Sequence, residues 1–152
     1  MVDQKQIRSE IKKLFNTQRL GVLSTYGSNQ PYSSLVAFAA PEDLKKLIFA
    51  TARSTRKYDN LTRNALVSLL VDNRSNQDSD FSDAIAVTVT GEAREVEKHE
   101  RETLLKIYLV KHPYLRDFVM SPTCALVQIT VQRFYLVHSF QQVLELPVTP
   151  RA

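Results

Sequence analysis

Apolar and polar positions alternate along this chain with two different periods, and each change of period marks an element boundary. Ile7, Ile11, Leu14 and Phe15 recur at i, i+4, i+7 and i+8, with Arg8, Glu10, Lys12 and Lys13 between them. That spacing predicts an amphipathic helix over about 3–15, with Asp3 as its N-cap. The period then shortens. Runs at about 19–26 and 31–39 read as strands, and Gly27-Ser28-Asn29-Gln30 between them offers residues that tolerate the positive φ of a tight hairpin. Pro41-Glu42-Asp43 marks another turn before the apolar run 47–50. Residues 54–64 predict a short helix. Leu66, Val67, Leu69, Leu70 and Val71 predict a mostly buried strand over 65–72. Residues 73–82 are polar throughout and read as a loop and candidate lid. A long β-branched strand follows at 84–96, with Gly91 as a bulge or bend. Residues 97–108 return to helical spacing, with Leu104, Leu105, Tyr108 and Leu109 on one side. His112-Pro113 ends this helix, because a residue before proline disfavours the α conformation. A turn at 114–119, strands near 124–131 and 133–139, and an extended tail near 140–146 complete the chain.

Six or seven strands joined by short helices predict a closed or split barrel, mainly β with peripheral α, rather than a βαβ sheet. A length of 152 residues fits one domain: an N-terminal helix, a barrel over about 19–140 and a tail at 141–152. The apolar share of 43% supplies a sizeable core, and 24% charged residues is the globular norm, which excludes disorder as the whole answer. No apolar run approaches the roughly 18 residues of a membrane helix, and the polar N-terminus does not read as a signal peptide. The single Cys124 can form neither an internal disulfide nor a thiolate cluster, which fits a reducing compartment. The expectation is a soluble, cytoplasmic protein. A net charge of +4, from 20 Lys and Arg against 16 Asp and Glu, allows non-specific attraction to nucleic acid. No dense basic stripe or aromatic interleaving accompanies it, so specific nucleic-acid recognition is not expected. The charge suits an anionic small ligand equally well.

The stretch richest in chemistry runs from Phe49 to Leu61. A strand ends at Thr51 and a helix begins near Ser54, which gathers Thr51, Ser54, Thr55, Arg56 and Lys57 at a helix start. Free N–H groups and the positive dipole end make such a place an anion site. Arg56 can grip a phosphate with a planar fork, Lys57 adds a point charge, and the hydroxyls can donate to remaining oxygens. On the residues alone a second reading stands beside it: Ser54 caps the helix and the cations form a solvated face.

At this point the chain resembles the FMN-binding split-barrel family related to pyridoxamine 5′-phosphate oxidase. The matching residues are Phe49-Ala50-Thr51, then Thr55-Arg56-Lys57, then Val67-Ser68-Leu69-Leu70. Upstream, Pro31-Tyr32-Ser33-Ser34-Leu35-Val36 is similar to the family's second strand. Downstream, Val87-Thr88-Val89-Thr90-Gly91-Glu92-Ala93 is similar to the strand that crosses the barrel. The resemblance covers about residues 10–140. It implies a six-stranded antiparallel split barrel and FMN as cofactor. Arg56 and Lys57 would then hold the phosphate with Thr51, Ser54 and Thr55, and Ser34, Leu35, Val36 and Ala37 would lie along the flavin ring, mainly through backbone groups. It also implies a homodimer with the flavin between subunits, its interface supplied by a strand such as 84–96 and by the final strands. The chain departs from the oxidase itself at Ser34, where the oxidase has arginine, and at about Ala86, where it has glutamine. The oxidase's C-terminal Arg-x-His motif is missing, since this chain ends Phe140-Gln141-Gln142-Val143-Leu144-Glu145. The closer likeness is to uncharacterised members.

The other candidates read as structural. His99, His112 and His138 lack partners at metal-ligand spacing, so no metal site is expected. His99 reads as an exposed helix residue and His112 as a helix terminator. His138, on a late strand, is the histidine most suited to face a pocket. It keeps a haem reading open, since one branch of the split barrels binds haem, although that branch has a shorter turn after its Thr-Arg pair. Cys124 reads as a buried small residue. Serines without nucleophile-elbow glycines argue against a hydrolase. The function expected is an FMN-binding flavoprotein acting as an oxidoreductase on a small molecule or electron donor, with no catalytic side chain assigned. The alternatives are a non-catalytic flavin-binding or sensor module, or a haem-binding split barrel.

Overall fold

The first helix forms where the 3.6-residue period runs. In the computed structural model, which describes residues 3–139 and 142–148, α1 spans Gln4–Thr17 and the Asp3 carboxylate accepts from the Lys5 N–H. Its four periodic residues Ile7, Ile11, Leu14 and Phe15 are all buried, each contributing roughly 1.5–3 kcal/mol. Phe15 meets Phe38 edge-on and lies against Phe134, so α1 plugs one part of the barrel.

The strands are β1 (Leu20–Gly27), β2 (Gln30–Ala39), β3 (Lys46–Ala52), β4 (Leu66–Asp72), β5 (Ile85–Glu95), β6 (Cys124–His138) and β7 (Gln142–Pro147). They pair antiparallel in the order β3-β2-β1-β4-β5-β6-β7, and β3 also pairs with β6. The first six therefore close into a ring, the split barrel that the resemblance implied, with α2 (Arg56–Arg63), α3 (Asp80–Asp83), α4 (Lys98–Lys111) and α5 (Arg116–Met120) at its periphery. Inward residues such as Leu23, Phe38, Phe49, Leu69, Val89 and Phe134 fill it. A second apolar layer packs α4 and α5, through Leu104, Tyr108 and Val119, on Ile48, Ala50 and Leu126 outside β3 and β6.

Several expectations shift on folding. The two strands expected at 124–131 and 133–139 are one 15-residue strand. Its first half pairs with β3 and its second with β7, so one strand passes from the closed barrel to an added edge. The expected tail is thus mostly β7; Phe140 and Gln141 lie outside the described residues. The bulge is where Gly91 predicted it. Thr90 faces Arg133 and Gly91 faces Val131, leaving Gln132 as the extra residue on β6. A Cβ at Gly91 would run into the Thr130 carbonyl. In the β1–β2 hairpin the positive φ angles fall on Ser28 (52°) and Asn29 (60°), not on Gly27, as a two-residue turn with both central residues left-handed requires. Gly27 is needed for space instead, because a Cβ there would strike the Asn60 side chain. β4 is half-buried, alternating rather than mostly buried.

Candidate functional site

The barrel parts between β2 and β3. Their register holds only at Phe38–Phe49 and Ala39–Ile48. Beyond those pairs β2 stays with β1, up to Gly27–Gln30, and β3 stays with β6, up to Ala52–Cys124. The Phe38 N–H donates to the Arg19 carbonyl on the β1 side. Alternation along a strand therefore aims the N–H and C=O groups of Leu35 at the β3 side, beyond the last ladder pair. Of the ring-edge residues expected from the sequence, Leu35 is exposed, Val36 buried, and Ser34 and Ala37 lie between. The Ser34 hydroxyl oxygen is buried and makes no hydrogen bond among the described residues. Ser34 stands on the inward face of β2 opposite Leu23, beyond the last β2–β3 pair, where an orphaned polar atom costs about 1–3 kcal/mol.

One end of the gap meets the start of α2. Helix α2 begins at Arg56, and its N-cap is Thr55 rather than Ser54, because the Thr55 hydroxyl is the one that reaches the Tyr58 N–H (3.3 Å). Ser54 is left exposed. The Thr51 and Thr55 hydroxyls lie 2.9 Å apart, and both reach the Ala52 carbonyl. They knit the β3–α2 corner and so fix where the next two residues stand. The N–H groups of Arg56 and Lys57 are first-turn donors without an intrahelical acceptor. Neither side chain has an ion-pair partner among the described residues: Asp59 pairs with Arg63 at 3.2 Å. Arg53, the nearby cation, is fully committed. Its guanidinium holds Glu95 at 2.8 Å and the Pro122 carbonyl at 2.9 Å, and Tyr58 also donates to Glu95. The structure thus brings Thr51, Ser54, Thr55, Arg56 and Lys57 together at one corner, with the two adjacent cations left uncommitted. The barrel side of this corner is held by Asn60, whose amide donates to the Thr25 hydroxyl at 3.0 Å.

The strand β2 is gripped from outside by α4. The Tyr108 hydroxyl donates to the Ala37 carbonyl (3.3 Å), and His112 Nε2 donates to the Phe38 carbonyl (2.7 Å). Burial pushes the Tyr108 phenol up and the His112 imidazole down, so both stay neutral donors. Lys111 adds a third anchor, donating to the Phe15 carbonyl in the last turn of α1 at 2.7 Å with its ammonium 3.8 Å above the Phe38 ring. The sequence reading placed Tyr108 among apolar residues and missed this brace; its signal is the Tyr-x-x-x-His spacing, one helical turn, just before Pro113.

The remaining candidates are elsewhere. His99 is exposed and His112 closes α4, as expected. His138 does line a cavity, of about 540 Å³ between α1 and β7, with its Nε2 3.0 Å from Glu10. The expectation that no carboxylates stand at ligand spacing needs correction: Glu97, His99 and Glu100 bring ligand-type atoms within 4.8 Å of one another. Arg94 lies 3.4 Å from both acids, and Lys46, hydrogen-bonded to Glu100, is the main cause of that carboxyl's lowered pKa. Cys124 is buried, and burial raises its thiol pKa. The polar loop at 73–82 is organised around Asp80, whose carboxylate accepts from the N–H groups of Ser75, Asn76 and Gln77.

A closed antiparallel ring parted between two strands, with peripheral helices over the gap, defines the split-barrel class. The chain belongs to the pyridoxamine 5′-phosphate oxidase family, whose model matches residues 7–138. No curated protein matches it. Among solved structures it is similar to a haem-binding protein from Mycobacterium smegmatis, at 16% identity and a TM-score of 0.83. That likeness covers 96% of this chain and 60% of the other, so this chain spans less than two thirds of the length of that chain. It is similar to General Stress Protein 26 from Bacillus anthracis, at 21% identity and 0.72, over 94% and 99% of the two chains. It is also similar to an FAD-binding protein from Mesorhizobium loti, at 17% identity and 0.67, over 84% and 91%. No helix among the described residues is long and apolar enough to cross a membrane.

Proposed function

We propose that this protein binds FMN, with the phosphate at the start of α2 and the ring along the parted edge of β2, and serves as a flavin-dependent oxidoreductase. The observation that carries this reading is the uncommitted Arg56–Lys57 pair standing at one end of the β2–β3 gap. The residues present fit such a ligand. Two cations and two free N–H groups match a dianionic phosphate. The backbone groups of Leu35, beyond the last β2–β3 pair, and the orphaned Ser34 hydroxyl suit the polar rim of a heteroaromatic ring. Bound flavin would supply electron or hydride transfer; the chain's own residues hold and orient it. A haem reading draws on the names of some similar structures. It is the poorer fit, because His112 is spent on the Phe38 carbonyl and His138 stands against Glu10.

The same reading includes a homodimer. On the outer barrel face, Leu35, Val22, Leu70 and Thr88 form one cross-strand row, and Ser33, Ser24, Ser68 and Thr90 the next. None of the eight is charged, none is buried, and Leu35 is 66% exposed. An uncharged patch four strands wide suits an isologous contact between copies. The buried Cys124 suits a reducing, cytoplasmic setting.

Protein purified without added cofactor is expected to show the absorption of an oxidised flavin, and heat is expected to release a species with the mass of FMN. Colourless protein that also leaves the fluorescence of added FMN unchanged overturns the proposal. Bleaching of the flavin by NAD(P)H supports the oxidoreductase; a flavin that no reductant or substrate reaches supports a non-catalytic binding module. Light scattering is expected to give twice the chain mass.

A further inference from the structure

The planar guanidinium of Arg56 lies over the ring of Tyr32, 5.4 Å from its centroid, although the two residues stand 24 positions apart in the chain. We infer that Tyr32 is a positioning residue for the anion site: its ring face attracts the guanidinium of Arg56 and restricts where it stands, leaving its N–H groups free to grip a phosphate. The inference rests on the phosphate site proposed above and assigns a role to a residue that site does not itself contain.

Four observations support it. First, Arg56 is exposed and has no carboxylate to hold it, since the neighbouring Asp59 is turned to Arg63. A free arginine side chain samples many rotamers, and contact with a ring removes part of that freedom before a ligand arrives. Second, stacking and anion binding use different parts of the group. The π face attracts the cation through its quadrupole, while the guanidinium N–H groups make no hydrogen bond or ion pair among the described residues. Third, the ring's own position is fixed relative to α2. The hairpin that carries Tyr32 is docked on that helix by the Asn60–Thr25 hydrogen bond and by the close approach of Gly27 to Asn60. Fourth, the pair borders a pocket of about 420 Å³ whose other walls include Ser28, Gln30 and Asp59, so a ligand phosphate can approach Arg56 from the open side.

Fluorescence titration of the full chain with FMN and with riboflavin, which lacks the phosphate, tests this. Tyr32→Leu is expected to weaken FMN binding two- to fivefold, the range an exposed cation–π contact supports. Tyr32→Phe, which keeps the ring, is expected to bind FMN as the wild type does. Riboflavin affinity is expected to be equal in all three. In an Arg56→Ala background, Tyr32→Leu is expected to have no further effect, because the group it positions is gone. Tyr32 is 38% exposed, so these variants should fold, and thermal melts check that they do. If Arg56→Ala weakens FMN but Tyr32→Leu does not, the positioning role is wrong and the phosphate site stands. If Arg56→Ala leaves FMN binding unchanged, the site is wrong and the inference falls with it. If Tyr32→Leu weakens riboflavin as much as FMN, Tyr32 touches the ring system instead, which also overturns the role.

Discussion

The two ends of β2 treat polar groups in opposite ways. Where α4 crosses the strand, three polar side chains are brought inside and each is matched: Tyr108 to the Ala37 carbonyl, His112 to the Phe38 carbonyl and Lys111 to the Phe15 carbonyl. Where the strand parts from β3, polar groups are left without hydrogen-bond or ion-pair partners among the described residues: the Ser34 hydroxyl, and the cations Arg56 and Lys57, with the backbone of Leu35 beyond the last ladder pair. Folding pays for unpartnered buried groups, so the first end is what stability alone produces. The second end is the arrangement that the proposed flavin site requires. Gln128 warns against reading the rule too simply, because its side-chain carbonyl is also buried and unpartnered on the α4 side.

The largest effect that would sharpen the contrast is on the matched end. His112 is 6% exposed, and His112→Ala removes a buried ring while stranding the Phe38 carbonyl. A cost of about 2–4 kcal/mol is expected, read as a fall in thermal midpoint of roughly 5–15 °C. Its pH dependence has a definite sign. Burial lowers the folded imidazole pKa below the ordinary 6.5, so the stabilisation is fully present above about pH 6.5 and is lost as pH falls through the folded value. Melts of wild type and His112→Ala from pH 7.5 to 5 should therefore converge. Parallel curves would mean that His112 is not held neutral.

At the unmatched end the expected effect is on a ligand rather than on the fold. Arg56→Ala is expected to weaken FMN about thirtyfold or more, leave riboflavin nearly unchanged and leave the melting temperature where it was, since an exposed cation adds little to stability. A thermal midpoint that drops as far as in His112→Ala would erase the distinction between the two ends.

Lys111→Met gives an intermediate effect. It preserves the apolar stem but takes the donor from the Phe15 carbonyl and the cation from the end of α1, for a cost of roughly 1–2 kcal/mol at neutral pH. Burial brings the Lys111 amine down to about 8 from 10.5. A depressed folded pKa means the unfolded chain binds more protons between those values, so wild type should gain stability relative to Lys111→Met as pH rises from 8 toward 10.5. Chemical denaturation across that range measures it, and a widening deficit of wild type would reverse the sign and refute the assignment.

Legibility in the sequence followed the same division. The strands, the closed-barrel class and α1 were written in local periodicity, and the Thr51…Thr55-Arg56-Lys57 corner stood out because its residues are near neighbours in the chain. The brace was not legible, since Tyr108 and His112 meet Ala37 and Phe38 across more than seventy residues and a tyrosine on an apolar face reads as packing. Nor was the single run of β6: no proline or glycine marks the passage from one partner strand to the next, and only the Gln132 bulge records it. The Tyr32–Arg56 stack was hidden for a similar reason. Tyr32 becomes the partner of Arg56 only after the hairpin docks on α2.

The smallest expected effect is the most direct test of which end is which. Ser34→Ala removes one oxygen that is buried and has no partner among the described residues. Were Ser34 an ordinary interior residue, its hydroxyl would be hydrogen-bonded and its loss would cost stability. An orphaned hydroxyl reverses that account: removing it relieves an unmet desolvation cost, so the free protein should be unchanged or stabilised by up to about 1 kcal/mol. The liganded protein should behave oppositely. If the hydroxyl meets a polar atom of the flavin ring, its deletion forfeits one neutral hydrogen bond, roughly 0.5–1.5 kcal/mol or a two- to tenfold loss of affinity. Because the contact is to the ring and not the phosphate, FMN and riboflavin should lose equally, which separates Ser34 from Arg56. Melting curves without ligand and titrations with both flavins give the two signs in one set of samples. A destabilised free protein with unchanged flavin affinity would place Ser34 with the matched groups and remove it from the site.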